Sequence, residues 1–215
     1  MQNEKILVIP SKVYTENPEK FLNNFTTELN NTGFYMTRHL AEVDENYLQI
    51  IPYCIIFKPI HYHSTFSGEK DINVFCYQRL KGGTEDRLHN KYSIGIGGHI
   101  EEDRDSRKSN TEALFSGAMA EINEELEGEF YPAKILTQKN RNNFLIYDPS
   151  NEVGRVHLGV MMFSYARSVS DVTVKEKNKI SGEMIPFSRI KKSRDMALEN
   201  WSKIAIENTC FTNIT

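Results

Sequence analysis

Cysteine is scarce in this chain of 215 residues: Cys54, Cys76 and Cys210 are the three present, with no CxxC pair and no even set to cross-link. A disulfide framework is excluded, and the thiols read as buried or incidental side chains of a reducing compartment. No run of eighteen apolar residues exists, so no membrane-spanning helix is expected. The N-terminus, MQNEKILVIP, lacks the apolar core and cleavage site of a secretory signal. An excess of positive charge is missing too. The 26 Lys and Arg stand against 29 Asp and Glu, a net charge of −3, which leaves no general footprint for nucleic acid. Internal repeats and low-complexity tracts are absent as well. These absences point to a cytoplasmic protein with neither a membrane nor nucleic acid as general partner; a homodimer stays open.

One absence is local. No lysine or arginine occurs between Lys108 and Lys134, and the middle of that stretch holds Glu121, Glu124 and Glu125 at i, i+3 and i+4. On a helix these share a face, with Cβ atoms roughly 5–6 Å apart. At an effective dielectric near ~20 each such pair repels by about 3 kcal/mol, and in open water by less than about 1 kcal/mol. Either the face is fully solvated or a positive group sits on it. A hard divalent cation is the natural candidate, since Mg²⁺ takes oxygen ligands and bridges carboxylates to a substrate phosphate. At about 100° per residue, Phe115, Ala118, Met119, Ile122 and Leu126 gather into an apolar stripe, and the glutamates lie roughly 120° away on its flank. A solubilising surface would mix Lys with Glu at these spacings.

The stretch Gly97–Glu127, GGHIEEDRDSRKSNTEALFSGAMAEINEELE, resembles the Nudix signature G-x5-E-x7-R-E-U-x-E-E-x-G-U, where U is aliphatic. Glu112, seven residues, Ala120, then Glu121, Ile122, Asn123, Glu124 and Glu125 follow its acidic half. Gly97 and Gly98 stand for the glycine pair that opens it, after a short strand at SIGI. Three departures are visible. Thirteen residues rather than five separate Gly98 from Glu112, the signature Arg is Ala120, and the later glycine is Glu127 with Gly128 one position late. Arg104, Arg107 or Lys108 could supply the missing charge. The long loop, with RLHNKYSIGIGGHI, is similar to a subgroup of MutT-like phosphoesterases.

The resemblance implies an α/β/α sandwich with a mixed sheet, spanning residues 48–208, with an N-terminal extension (1–47) packing on the core and a C-terminal tail (209–215). Hydrophobic pattern agrees with this class. Strands are expected at Lys5–Pro10, Leu48–Lys58 (with Pro52 at a bulge or strand start), Asn73–Leu80, Val156–Ala166 and Glu183–Phe187, with a bent strand pair over Ala133–Asp148. Besides the acidic helix, amphipathic helices are expected over Pro18–Asn30 and over Asp195–Asn208, the latter with Met196, Leu198, Trp201, Ile204 and Ala205 inward.

The resemblance also implies chemistry: hydrolysis of the pyrophosphate bond of a nucleoside diphosphate linked to a moiety X, with Mg²⁺ or Mn²⁺ as cofactor and a small nucleotide-type substrate as partner. Glu124 and Glu125 would be the chief metal ligands, Glu121 a further ligand or the base, Glu112 an outer ligand or brace, and the Gly97 carbonyl a last donor. Glycine at 97 and 98 lets backbone approach metal and phosphate. Glu176 is the choice for an additional acid, ahead of Glu152 and Glu183. Arg79, at a strand end, suits a phosphate through its bidentate fork, against the reading of a surface ion pair worth little. Arg87, His89 and Lys91 read as loop polarity, as do His61 and His63; His99 ranks below Glu121 as base, and His157 reads as a hydrogen-bonded core residue. Tyr92 and Phe163 could stack on a base but are first of all core. Two rivals remain: a nucleotide sensor of the same fold without turnover, suggested by Ala120, and an acidic interaction module without metal.

Overall fold

Ile- and Val-rich runs bounded by polar turns form the strands, as their β-branched side chains favour. The computed structural model describes residues 4–59, 72–80, 88–102, 108–135, 144–169, 172–175 and 177–208. In chain order the elements are β1 (Lys5–Pro10), α1 (Ser11–Thr15), α2 (Pro18–Asn23), α3 (Phe25–Thr32), β2 (Phe34–Thr37), α4 (Arg38–Ala41), β3 (Tyr47–Pro59) and β4 (Ile72–Arg79). There follow β5 (Tyr92–Ser93), β6 (Gly95–Ile96), α5 (Asn110–Glu125), β7 (Leu126–Glu127), β8 (Leu145–Ile146), α6 (Glu152–Arg155), β9 (His157–Tyr165), β10 (Thr173–Val174), β11 (Ile180–Pro186), α7 (Phe187–Lys192) and α8 (Asn200–Asn208). Two compact units are built from interleaved stretches: Met1–Tyr53, Gly97–Glu121 and Lys134–Met162 in one, Cys54–Ile96, Ile122–Ala133 and Phe163–Thr215 in the other. The class is α/β with a mixed sheet, as expected.

In the first unit β1 lies antiparallel to β2, from Lys5↔Thr37 to Val8↔Phe34, and to the start of β3, from Val8↔Gln49 to Pro10↔Tyr47. The β9 strand joins β3 through the Gln49 N–H, which donates to Val156 O, and pairs with β8 at Leu145↔Val160. Ile6 to Ile9, Phe21, Leu29 and Leu48 are fully buried. Phe25 bridges Phe21 and Phe144 edge-on at 5.7 and 5.2 Å. The start of α5 is tied to the end of α3 in both directions. Asn110 Nδ2 donates to Leu29 O and Gly33 O, and the Thr111 N–H donates to Asn30 Oδ1. Each side chain thus satisfies backbone groups that a helix terminus leaves unpaired.

In the second unit β4 is flanked by β11, in register from Ile180↔Arg79 to Pro186↔Asn73, and by the end of β3 at Phe57↔Val74. The β5 strand adds to β4 at Tyr77↔Ser93, and β6 adds to β3 at Cys54↔Ile96. A two-residue ladder joins β10 to β7. Phe75, Tyr77, Ile55 and Ile56 fill its core.

Four expectations are corrected. The helix drawn over Pro18–Asn30 is two: α2, capped by the Asn17 side chain, ends at Asn24, whose N–H and Nδ2 both turn back to Lys20 O. The helix drawn from Asp195 begins only at Asn200. Leu198 first bridges Tyr92 in parallel, with the Tyr92 N–H donating to Ala197 O and the Glu199 N–H donating to Tyr92 O. The buried residues of the helix are therefore Ala205 and the polar Ser202, with the polar Glu199 buried just before it, while Met196, Leu198, Trp201 and Ile204 are half-buried. Pro52 lies inside β3 rather than at its start, between Gln49, in register with β1, and Cys54, in register with β6, where the missing N–H interrupts neither of those ladders. The apolar stripe of α5 is rotated: Leu114, Ala118, Ile122 and Leu126 are buried at i+4 spacing, with Ala113, and Phe115 and Met119 are half-buried. Of the expected pair over Ala133–Asp148, residues 136–143 lie outside the described residues, and Leu145–Ile146 is a strand.

Candidate active site

The acidic residues do fall on one helix. Asn110–Glu125 is continuous, so Glu121, Glu124 and Glu125 keep their i, i+3, i+4 spacing, with Glu124 exposed and Glu121 and Glu125 half-buried. Oε2 of Glu125 is withdrawn from solvent. At the other end Ser109 and Glu112 form a reciprocal cap. Glu112 Oε2 accepts from the Ser109 N–H at 2.9 Å and Oγ at 2.8 Å, and the Glu112 N–H donates to Ser109 Oγ at 3.3 Å. Those bonds, with Lys108 nearby, hold the Glu112 carboxyl below the usual carboxylate range.

The glycine pair is dictated by two different neighbours, both in the first unit. A Cβ at Gly97 would lie within 3.0 Å of the Pro52 carbonyl oxygen, and one at Gly98 within 3.0 Å of the Glu121 carboxylate. So the first glutamate of the acidic set rests against the bare backbone of the pair. His99, next in sequence, is neutral: burial first, then Arg38 and His157, push its pKa down to about 3. Its Nε2 donates to Gln49 Oε1 at 2.8 Å, and Gln49 Nε2, fully buried, donates to Ala41 O. His157 lies 5.8 Å away ring to ring, its Nδ1 donating to Val153 O.

Arg79 belongs to the second unit. Its backbone is fixed on both sides, the N–H donating to Lys91 O and the carbonyl accepting from the Asn90 N–H, while Ile180 stands opposite on β11. The guanidinium lies 5.5 Å from the Tyr77 ring, and Nε is 3.6 Å from Glu199 Oε2. Glu199 is 6% exposed and accepts from Ser93 Oγ at 2.5 Å and from Ser202 Oγ at 3.5 Å. Buried Tyr77 donates its hydroxyl to Gly95 O, and its pKa is raised by burial and by the charges of Glu199 and Glu125, against the lowering effect of Arg79. Arg79, Glu199 and Glu125 therefore all act on one phenol. Sequence reasoning missed Glu199; the signal on offer was a carboxylate flanked by Leu198 and, past Asn200, by Trp201.

The remaining candidates divide. Glu176, His61, His63, Arg87, Arg104 and Arg107 lie outside the described residues. Glu152, in the first turn of α6, and Glu183, opposite Cys76 on β11, are exposed. Phe163 is buried against Phe57, and Tyr92 is half-buried. Among the described residues no three His, Cys, Asp or Glu side chains already stand as a metal-holding group. The donors nevertheless fit a hard divalent ion in kind, because they are carboxylates on one helix face beside backbone that carries no Cβ.

No family model matches the sequence. Protein YmaB of Bacillus subtilis (strain 168) is 34% identical over 174 residues, which cover 80% of this chain and 76% of that protein. The solved structure of Tm1382, named as a candidate Nudix hydrolase, superposes with a TM-score of 0.71 at 29% identity, covering 95% of this chain and 97% of that one. The chain belongs to the Nudix hydrolase family. As a Nudix protein it keeps the acidic half of the signature helix and the glycine pair, and it replaces the signature arginine by Ala120, half-buried on α5. Among the described residues no helix is long and apolar enough to cross a membrane.

Proposed function

We propose that this protein is a divalent-metal-dependent hydrolase that cleaves the pyrophosphate bond of a nucleoside diphosphate linked to a moiety X. The observation that carries the reading is the approach of the Glu121 carboxylate to Gly98: an acid is held against bare backbone at the start of a helix-borne acidic set. Glu121, Glu124 and Glu125, with the Gly97 carbonyl, would hold Mg²⁺ or Mn²⁺, and Glu176 would complete the donors. Glu112 acts as a brace, because its hydrogen bonds to Ser109 commit it to the helix cap. When bound, the ion would offset charge on the diphosphate and lower the pKa of a water. Where Glu121 is not a ligand it would serve as the base for the attacking water, in preference to His99, whose Nε2 proton is engaged by Gln49. Arg79 would orient the diphosphate through its bidentate fork, and Gly98, with no Cβ, would let backbone approach it.

The test is a panel of dinucleotides and nucleotide sugars with Mg²⁺ or Mn²⁺. Metal-dependent release of a nucleoside monophosphate from at least one member, lost in Glu125→Gln, is the expected result. Thermal stabilisation by the same compounds without turnover would replace the enzyme by a nucleotide sensor.

A further inference from the structure

Glu199 has no part in the chemistry just described, yet it is the most deeply buried carboxylate among the described residues. A carboxylate taken out of water is costly unless its oxygens are matched. Here one oxygen receives Ser93 Oγ and Ser202 Oγ, and the other faces Arg79 Nε. Ser93 Oγ also meets Gly95 O at 3.1 Å, and Ser202 Oγ accepts from the Ile94 N–H at 3.1 Å. The backbone of Glu199 is fixed as well, through Tyr92. These links from β5 to residues 197–202 thus help to hold this one carboxylate still.

Arg79 is the complement. Its side chain is 31% exposed against 7% for Glu199, so the guanidinium spans from the buried carboxylate to the surface, with Tyr77 along its flank. An unanchored arginine loses much rotamer freedom when it grips a phosphate, and one already held loses less. We propose that Glu199 is a positioning residue for Arg79: it fixes the guanidinium so that its outer side meets the substrate diphosphate in a ready orientation. The inference rests on the functional reading above, in which Arg79 takes phosphate.

The experiment is a double-mutant cycle on the full chain with Mg²⁺, using Arg79→Ala, Glu199→Gln and both together. It reads KM and kcat on the best substrate of the panel, and calorimetric affinity for inorganic pyrophosphate. Glu199→Gln keeps an acceptor for Ser93 and removes the charge. It is expected to raise KM and the pyrophosphate Kd about tenfold, with kcat within about twofold, and to add nothing once Arg79 is Ala. Glu199→Asp, which keeps the charge one methylene back, should recover part of the affinity and also serves if Glu199→Gln fails to fold. Equal effects of Glu199→Gln in both backgrounds, or equal KM for Gln and Asp, overturn the inference while leaving the hydrolase standing. A native chain that neither binds pyrophosphate nor cleaves any substrate overturns the functional reading and this inference with it.

Discussion

At the first turn of α5, Glu112 is exposed and gripped by Ser109. At the last turn, Glu124 and Glu125 stand at the negative end of the same helix, with no basic residue in that turn. An anion near a helix N-terminus is favoured and one near the C-terminus is opposed, by about 0.3–1 kcal/mol each. The fold therefore has a use for Glu112 and an objection to the other two. Part of the objection is answered from just past β10: Lys175 Nζ donates to Asn123 O at 2.5 Å, and the Lys175 N–H donates to Glu125 O at 2.9 Å. The contrast teaches that acids of one signature can be kept for different reasons, one for folding and the others, on the proposed reading, for the ion they would hold.

The sharpest way to break that contrast is to neutralise the C-terminal pair. Glu125→Gln should lower turnover by about 100-fold, equivalent to ~2.7 kcal/mol of transition-state stabilisation. The same change should leave the melting temperature unchanged or raised; a fall of several degrees in a thermal melt would show that the fold needs this acid too. The glycine pair gives a second separation. Gly97→Ala drives a methyl into the backbone carbonyl of Pro52 and should cost about 1–3 kcal/mol in a denaturant titration. Gly98→Ala meets only the movable end of Glu121, so it should displace that carboxylate and lower activity at nearly native stability.

Smaller effects sharpen the picture at the other end. Ser109→Ala removes the cap and should cost about 1 kcal/mol, or roughly 2–4 °C in melting temperature, with kcat on the best substrate little changed. Acid provides the last test. His99 has its pKa depressed from 6.5 to about 3 in the folded chain, so between those values the unfolded chain binds a proton that the folded one refuses. Stability should be intact above pH 6.5 and decline as pH falls toward 3. His99→Gln should flatten that decline in denaturant titrations at pH 7, 5 and 4, and an unchanged slope would assign the acid sensitivity elsewhere.

Much of the first-order plan was legible because it is local. The i, i+3, i+4 acids, the glycine pair and the apolar runs at β3, β4 and β9 declare themselves within a few residues of each other. What was not legible depends on distant partners. Asn24 breaks its helix by turning back to Lys20, although the apolar spacing continues past it. Residues 197–199 give up helix for a bridge to Tyr92, and the cluster of Ser93, Glu199 and Ser202 joins side chains about a hundred positions apart. Leu114 was overlooked in α5 because the stripe was drawn from Phe115, one step round the wheel. Glu176, expected as an additional acid, is outside the described residues, and Glu199 emerged only from the folded chain.

The crowding of Gly98 by Glu121 makes two positions, twenty-three apart, depend on each other. While the long acid stays, a side chain at 98 would have to push it aside; once it is shortened, that conflict lapses. Descendants that had abandoned hydrolysis would be free to drift at both places together. A side chain at the second glycine is thus a cheap mark of a retired copy, readable before any assay.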